Sequence, residues 1–385
     1  MAYEPTDMFL NDEQRMLRDM VREFADNEVK PIATALDEEE RFPEETIKKM
    51  AELGLLGICF DEKYGGAGMD NLSYTIAVEE LSRACASTGI TLAAHISLGI
   101  APIAMFGTEE QKEKYMPPLC SGEYLGAFGL TEPNAGSDAG GTETTAVLDG
   151  DEWVLNGTKI YCTNGSVSGT TVATAITDKE KGTKGISSFI IETDNPGYIV
   201  GKREKKLGIK GSDTSMVHFE DCRIPKENIL GTPGEGFKQF LITLDGGRIS
   251  IGAMALGIAQ GAMEVALQYS QEREQFGKPI AAFQTIQFKL ADMAVQIEAA
   301  RHLVYHAARL KDLGKKFSRQ SAIAKLFASE IAMMVTNEAI QTLGGYGYVK
   351  EYQVERMFRD AKITTIGEGT SEIQRLVIAR DLLGR

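Results

Sequence analysis

Between residues 125 and 235 strand-like runs follow one another with no helix long enough to carry a parallel crossover, while long helical patterns fill both flanks. That layout restricts the folds open to the chain, because parallel strands need a connection of a dozen or more residues, usually a helix. "TTAVLDGDEWVLNGTKIYCTNG" reads as two strands around a turn at Asp149–Gly150, with Trp153 on the returning strand. "GISSFIIETD" and "TSMVHFEDCRIP" add runs with hydroxyl, β-branched and aromatic residues. The expectation is a compact, mainly antiparallel sheet unit, and a doubly wound dinucleotide fold is argued against.

Upstream, Asn11 followed by Gln14 has the form of a capping box. Met16, Leu17, Met20, Val21 and Phe24 then recur at helical spacing until Pro31 interrupts. Downstream, an Ala- and Gly-rich helical run from about residue 238 is followed by "FQTIQFKLADMAVQIEAARHLVYHAARLKDLG" and "RQSAIAKLFASEIAMMVTNEAIQTLGG". Each is long and amphipathic, as in an antiparallel bundle. The chain is therefore read as α+β, mainly α. Its expected parts are an N-terminal helical domain (1–124), a middle antiparallel β domain (125–235) and a C-terminal helical bundle domain (236–385).

A formal net charge of −14 speaks against a nucleic-acid partner, which would need a basic surface. "KREKKLGIKG", residues 202–211, is the densest basic stretch, and reads either as a solvated face or as a seat for phosphate groups. Of the four histidines, His302 and His306 are spaced for one helix face, but no cysteine or HExxH context supports a metal, and none is expected. GxSxG and GxxxxGK[ST] are absent. Five scattered cysteines without a CxxC pair fit reduced thiols. The N-terminus lacks the pattern of a secretory signal, and no uninterrupted apolar run approaches the length of a membrane span. A cytoplasmic protein without membrane insertion is expected, or a processed form in the mitochondrial matrix.

Near the C-terminus, "TTIGEGTSEIQR" (364–375) sets Glu368 between two glycines ahead of a helical run. Glycine on both sides lets another molecule come close, so the carboxylate is either presented to a ligand or lies in a plain surface turn. Other clusters fall at the joints of the layout. "GAFGLTEPNAGSD" (126–138) opens the sheet region, "KIYCTNG" (159–165) adds an aromatic beside a hydroxyl, and "LDGGR" (244–248) is read as the start of a helix. "REQFGKPIAAFQ" (273–284) joins two bundle helices, and "QTLGGYGY" (341–348) ends a third.

In this order and over essentially the full chain, the six clusters resemble the acyl-CoA dehydrogenase family. The resemblance implies an α domain, a β domain and a C-terminal four-helix bundle, assembled as a homotetramer that is a dimer of dimers. It implies non-covalent FAD, an acyl-CoA substrate of fatty-acid β-oxidation and an electron-transferring flavoprotein as electron partner. On the matching positions, Phe128, Leu130, Thr131 and Ser137 would line the flavin, with Ser137 also near the substrate. Tyr161 and Thr163 would stand against the ring. Arg273, Phe276 and Gln284, with Gln341, Gly344 and Gly345, would reach the adenosine diphosphate part of FAD in a neighbouring subunit. Thr370 and Glu372 would be flavin contacts, and Asp245, Arg248 and Gly369 would lie beside the CoA substrate. Glu368 matches the family's base, which removes the α-proton while the β-hydrogen leaves as hydride. Some members carry that base at the position held here by Gly247, which has no side chain to serve.

Two features of the resemblance bear on the substrate and the chemistry. Family members often have tryptophan or phenylalanine where this chain has Tyr161. Gly367 replaces the tyrosine usual in short- and medium-chain members and matches isovaleryl-type members, making room for a short, branched or cyclic acyl group. A linear short-chain substrate is the competing expectation. An acyl-CoA oxidase or an enoyl-CoA reductase would use the same site, and a helical binding protein that has lost the chemistry is the non-enzymatic alternative.

Overall fold

The computed structural model describes residues 10–384. Helices α1 (Asp12–Phe24), α2 (Ala33–Glu38), α3 (Glu44–Glu52), α4 (Asn71–Ala84), α5 (Ala86–Ala94), α6 (Ala101–Phe106) and α7 (Glu109–Ser121) come first. The expected capping box forms, since Asn11 accepts from the Gln14 amide at 2.8 Å and the Gln14 side chain accepts from the Asn11 amide at 3.0 Å. Pro31 sits in a single 3-10 turn, Lys30–Ile32, and the chain winds on from α1 through a π-helical stretch, Ala25–Val29, and this turn into α2, so the expected interruption is a change of winding and not a break.

Strands β1 (Leu125–Gly129), β2 (Thr145–Asp149), β3 (Glu152–Thr163), β4 (Ser168–Ile176), β5 (Ile186–Glu192), β6 (Tyr198–Arg203), β7 (Thr214–Pro225) and β8 (Ile229–Leu230) form one sheet, ordered β6-β7-β3-β2-β4-β5-β8. The β2–β3 hairpin sets Leu148 opposite Trp153 and turns through Gly150 at φ +64°. The sheet is mainly antiparallel, as expected, and it also holds two parallel pairings. β1 runs parallel to β4, with Phe128 opposite Val172, and β2 meets β4 in the same sense at Thr145 and Ile176. The crossover from β1 to β4 is made by the β2–β3 hairpin, so a parallel pair did not require an intervening helix.

The C-terminal part holds α8 (Gly236–Glu272), α9 (Gln284–Asp312), α10 (Ser318–Leu343), α11 (Val354–Ala361) and α12 (Ser371–Leu382). A minimal hairpin, β9 (Glu274–Gln275) with β10 (Lys278–Pro279), joins α8 to α9. The expectation that "LDGGR" starts a helix is corrected as well, because α8 begins at Gly236 and runs through it. Gly246 and Gly247 are both buried, and packing outweighs their poor helix propensity. Farther along, a Cβ at Gly257 would lie 2.2 Å from the Glu79 carbonyl oxygen, and one at Gly261 would lie 2.3 Å from that of Arg83. The α4 and α8 backbones touch through these two positions. A buried polar network adds α9, with Arg301 donating to Glu79 at 3.0 Å and to Gln260 at 2.9 Å.

Two helical stretches, Ala86–Phe106 and Gly236–Glu272, are long and apolar enough to cross a membrane by length and composition, contrary to the reading of the sequence. Their apolar windows are 78% and 89% buried inside the protein, so packing in the core accounts for their composition. In the basic run 202–211, Lys202, Arg203 and Lys205 are exposed, in keeping with a solvated face, and Lys206 and Lys210 are half-buried. Lys206 donates to the Ser212 carbonyl at 2.8 Å, and Lys210 lies 3.7 Å from Glu40. The Ile209 amide donates to Asp360 and the Gly211 amide to Ser87, so the run straps the sheet to helices on both flanks.

Candidate active site

Between α11 and α12 the chain passes through Gly367, Glu368 and Gly369, with φ of +55° at Glu368 and +96° at Gly369. A left-handed backbone costs a non-glycine residue on the order of 1–2 kcal/mol, so the turn is held from outside. Lys325, fully buried on α10, donates to the Gly369 carbonyl at 2.6 Å. The Gln374 side-chain Nε2 donates to the same carbonyl at 2.8 Å and to the Glu368 carbonyl at 3.2 Å. Thr370 caps α12, accepting from the Ile373 amide at 3.3 Å, and Glu372 is exposed in the first turn, where a helix favours a carboxylate.

This turn aims Glu368 at α8. A Cβ added at Gly247 would stand 1.8 Å from Glu368 Oε2 and 2.7 Å from its carboxyl carbon. The carboxylate thus fills the volume of a side chain that α8 lacks. Oε2 is sheltered from solvent and has no hydrogen-bond partner among the described residues. Burial pushes the carboxyl up to about 7, against the opposing pull of Lys325 and Arg248. The Glu368 amide finds no acceptor among the described residues. Beside it, a Cβ at Gly367 would meet nothing nearer than the Ile363 carbonyl oxygen at 3.6 Å, so the space there is open. An acid kept neutral by desolvation up to the middle of the pH scale is suited to general-base work near neutrality.

Asp245 and Arg248 flank Gly247 on α8 and pair with each other, and Ser318 of α10 donates to Asp245. Arg248 is 4% exposed and its Nε has no partner among the described residues, so its charge is spent inside the fold beside Glu368. A second group gathers on the sheet. Phe128 stacks on Phe240 of α8, ring centroids 4.0 Å apart. The Ile160 amide donates to the Thr131 carbonyl at 2.8 Å, bringing the loop after β1 beside β3. Beneath that loop Lys159 is fully buried, donating to Glu132 at 2.6 Å and to the Leu130 carbonyl at 3.3 Å. The β3–β7 register shifts between Lys159 and Cys162, and Tyr161 takes φ +58° there. The bulge turns its ring outward, 62% exposed. Thr163 closes β3 opposite Thr214, and Ser137 is exposed in the loop after β1.

A third group stands apart. Arg273, Gly344 and Gly345 line a cleft of about 480 Å³ with Tyr269 and Tyr346. The Arg273 guanidinium lies 5.5 Å over the Tyr346 ring. Phe276, at φ +55°, is 93% exposed at the hairpin tip, and Gln284 and Gln341 are exposed at the near ends of α9 and α10. At 1.5 Å per helical residue, Arg273 stands roughly 35–40 Å from Arg248 along α8. The structure therefore brings together the residues around Glu368, and separately those around Arg273, but does not join the two sets.

Sequence reasoning passed over Lys325, Gln374, Ser318 and Phe240. A lone lysine in the alanine-rich "SAIAKLFAS" was the one signal available for Lys325. No cluster of three metal-binding side chains exists among the described residues.

Three family profiles match the chain: acyl-CoA dehydrogenase N-terminal domain over 11–123, middle domain over 127–222 and C-terminal domain over 234–383. A probable acyl-CoA dehydrogenase of Bacillus subtilis is 57% identical, covering 97% of this chain and 99% of its own length. The short-chain specific acyl-CoA dehydrogenase of Clostridium acetobutylicum is also 57% identical, covering 97% and 98%. Among solved structures, butyryl-CoA dehydrogenase of Megasphaera elsdenii superposes with a TM-score of 0.96 at 50% identity, covering 98% of this chain and all of its own. A chain from work on the electron-transferring flavoprotein of Acidaminococcus fermentans and flavin-based electron bifurcation gives 0.97 at 54%, covering 99% and 100%. An acyl-CoA dehydrogenase of Bacillus anthracis complexed with FAD gives 0.93 at 38%, covering all of this chain and 70% of its own.

Proposed function

The chain belongs to the acyl-CoA dehydrogenase family, and from that premise we propose which of its residues carry the chemistry and which thioester they accept. It is an FAD-dependent enzyme that dehydrogenates an acyl-CoA to the 2-enoyl-CoA and passes the electrons to an electron-transferring flavoprotein. Bound FAD supplies the two-electron acceptor for the hydride that leaves the β-carbon.

The residues present suit that group. The outward Tyr161 ring, the hydroxyls of Thr131, Ser137 and Thr163, and the α12 N-terminus at Thr370, where the buried Ser371 hydroxyl lacks a partner, offer a flat face and donors. Phe128 and Leu130 supply the apolar backing, and Glu372 borders the same helix start.

One observation carries the catalytic assignment: the Glu368 carboxylate, sheltered and unpartnered at Oε2, occupies the recess that Gly247 leaves. Glu368 takes the α-proton of the thioester. Its own free amide is the donor for the thioester carbonyl, where negative charge develops as the proton leaves. Gly369 lets the substrate approach the carboxylate, and Asp245 with Arg248 braces α8 beside the CoA portion. The open space at Gly367 supports a short acyl group bearing a branch or ring.

The separation of Arg273, Phe276, Gln284, Gln341, Gly344 and Gly345 from Glu368 supports their use by the FAD of a neighbouring subunit, in a homotetramer built as a dimer of dimers. Bacterial relatives support a cytoplasmic setting. The test is an anaerobic titration of the yellow protein with butyryl-, isobutyryl-, isovaleryl-, 2-methylbutyryl- and a cyclic acyl-CoA. Faster bleaching by a branched or cyclic thioester is expected. Clear preference for butyryl-CoA ends that substrate assignment, bleaching by none ends the catalytic one, and peroxide release during turnover in air favours an oxidase.

A further inference from the structure

Lys325 is a lysine with no exposed surface, set on α10 among Ala322, Ala324 and Ala328. Burying an ammonium is costly unless something compensates it, yet Lys325 makes no salt bridge among the described residues. Its hydrogen bond goes to the Gly369 carbonyl at 2.6 Å. The charged groups that act on it are Glu368, Arg248 from α8 and Glu372 from α12. The Gly369 carbonyl is already satisfied by Gln374 at 2.8 Å, so the lysine is not needed merely to pair it. Gln374 approaches from α12 and Lys325 from α10, and between them they fix a turn in which Glu368 and Gly369 both have positive φ.

We propose that Lys325 is a positioning residue for the dehydrogenation, clamping the turn that presents Glu368 and supplying the positive charge that favours its ionised form. The inference rests on Glu368 being the base. Burial brings Lys325 itself down to about 8, so it carries its charge at neutral pH, where the base must be ionised. Removing the charge leaves Arg248, already paired to Asp245, as the remaining cation acting on Glu368. A lysine retained only for packing would be replaceable by methionine, which has similar length and no charge.

The test uses the FAD-loaded protein and compares wild type, Lys325→Met and Lys325→Gln. The pH profile of kcat/KM is measured for each, with the protonated-carboxyl infrared band of Glu368, identified by its loss in Glu368→Gln, followed over the same range. Both Lys325 variants are expected to move the acid limb and the band upward by about one pH unit. Methionine, which cannot hold the turn, is expected to lower kcat at high pH more than glutamine does. Folded, flavin-loaded variants with an unmoved limb and an unmoved band overturn the inference while leaving Glu368 as base. If the methionine variant does not fold, an unmoved limb and band in the glutamine variant overturn it equally. A wild-type protein that oxidises none of the thioesters overturns the functional reading and this inference together.

Discussion

Replacing Gly247 with alanine separates catalysis from stability, because the two readouts should move in opposite directions. The new methyl carbon would sit 1.8 Å from Glu368 Oε2, 2.7 Å from its carboxyl carbon and 3.1 Å from Oε1, and these are its three nearest neighbours. All three atoms belong to the end of a flexible side chain, so the carboxylate moves and the helix stays. Within a helix, glycine to alanine stabilises by about 0.8–1.0 kcal/mol, so the melting temperature should hold or rise slightly. The base is displaced by well over 1 Å, and a misplacement of about 1 Å costs on the order of 100-fold in rate. A displaced carboxylate also regains water, so the acid limb of kcat/KM should fall from about 7 toward the ordinary glutamate range. The assay is steady-state turnover from pH 5 to 9 with an artificial electron acceptor, alongside thermal unfolding of the same samples. Alanine at 247 with full turnover and an unshifted limb would mean that the working carboxylate does not occupy this recess.

Two further outcomes follow from buried charge. The Glu368 carboxyl is raised from 4.5 to about 7 in the folded protein, so its ionised form opposes folding. That penalty is absent below the unfolded value, grows as pH rises toward 7 and reaches about 3 kcal/mol above it. Glu368→Gln should therefore melt higher than wild type at pH 8 and equally at pH 4.5, and equal melting at both would refute the desolvation. Glu132 is the opposite case: burial raises it, yet Lys159 and its hydroxyl neighbours bring it down to about 2. Lys159→Met would strand that carboxylate at a cost of about 3–5 kcal/mol. It should also loosen the loop from Leu130 to Thr142, read as weaker FAD retention on dilution, and unchanged stability would show that the pair is not needed.

Local chemistry made much of the fold legible. The capping box at Asn11 and the β2–β3 hairpin both rest on contacts between near neighbours in sequence. The parallel β1–β4 pair was not legible, because its crossover is a hairpin and no helix announces it. Helix α8 was legible as a run from about residue 238, two residues past its start, while "LDGGR" inside it was also read as a start, and packing against Glu368 explains Gly247 inside a helix. Glu368 was singled out because glycines on either side leave a trace in sequence, and the family resemblance then matched it to the base. Lys325 and Gln374 were not, since they act through a backbone carbonyl whose place only the folded turn defines.

Glu368→Gln, loaded with FAD and mixed anaerobically with its best thioester, tests the central assignment most directly. A positioned general base contributes about 100- to 10,000-fold, so flavin reduction should slow by at least that lower factor while thioester binding persists. Reduction at the wild-type rate by a folded, yellow Glu368→Gln protein would contradict the account.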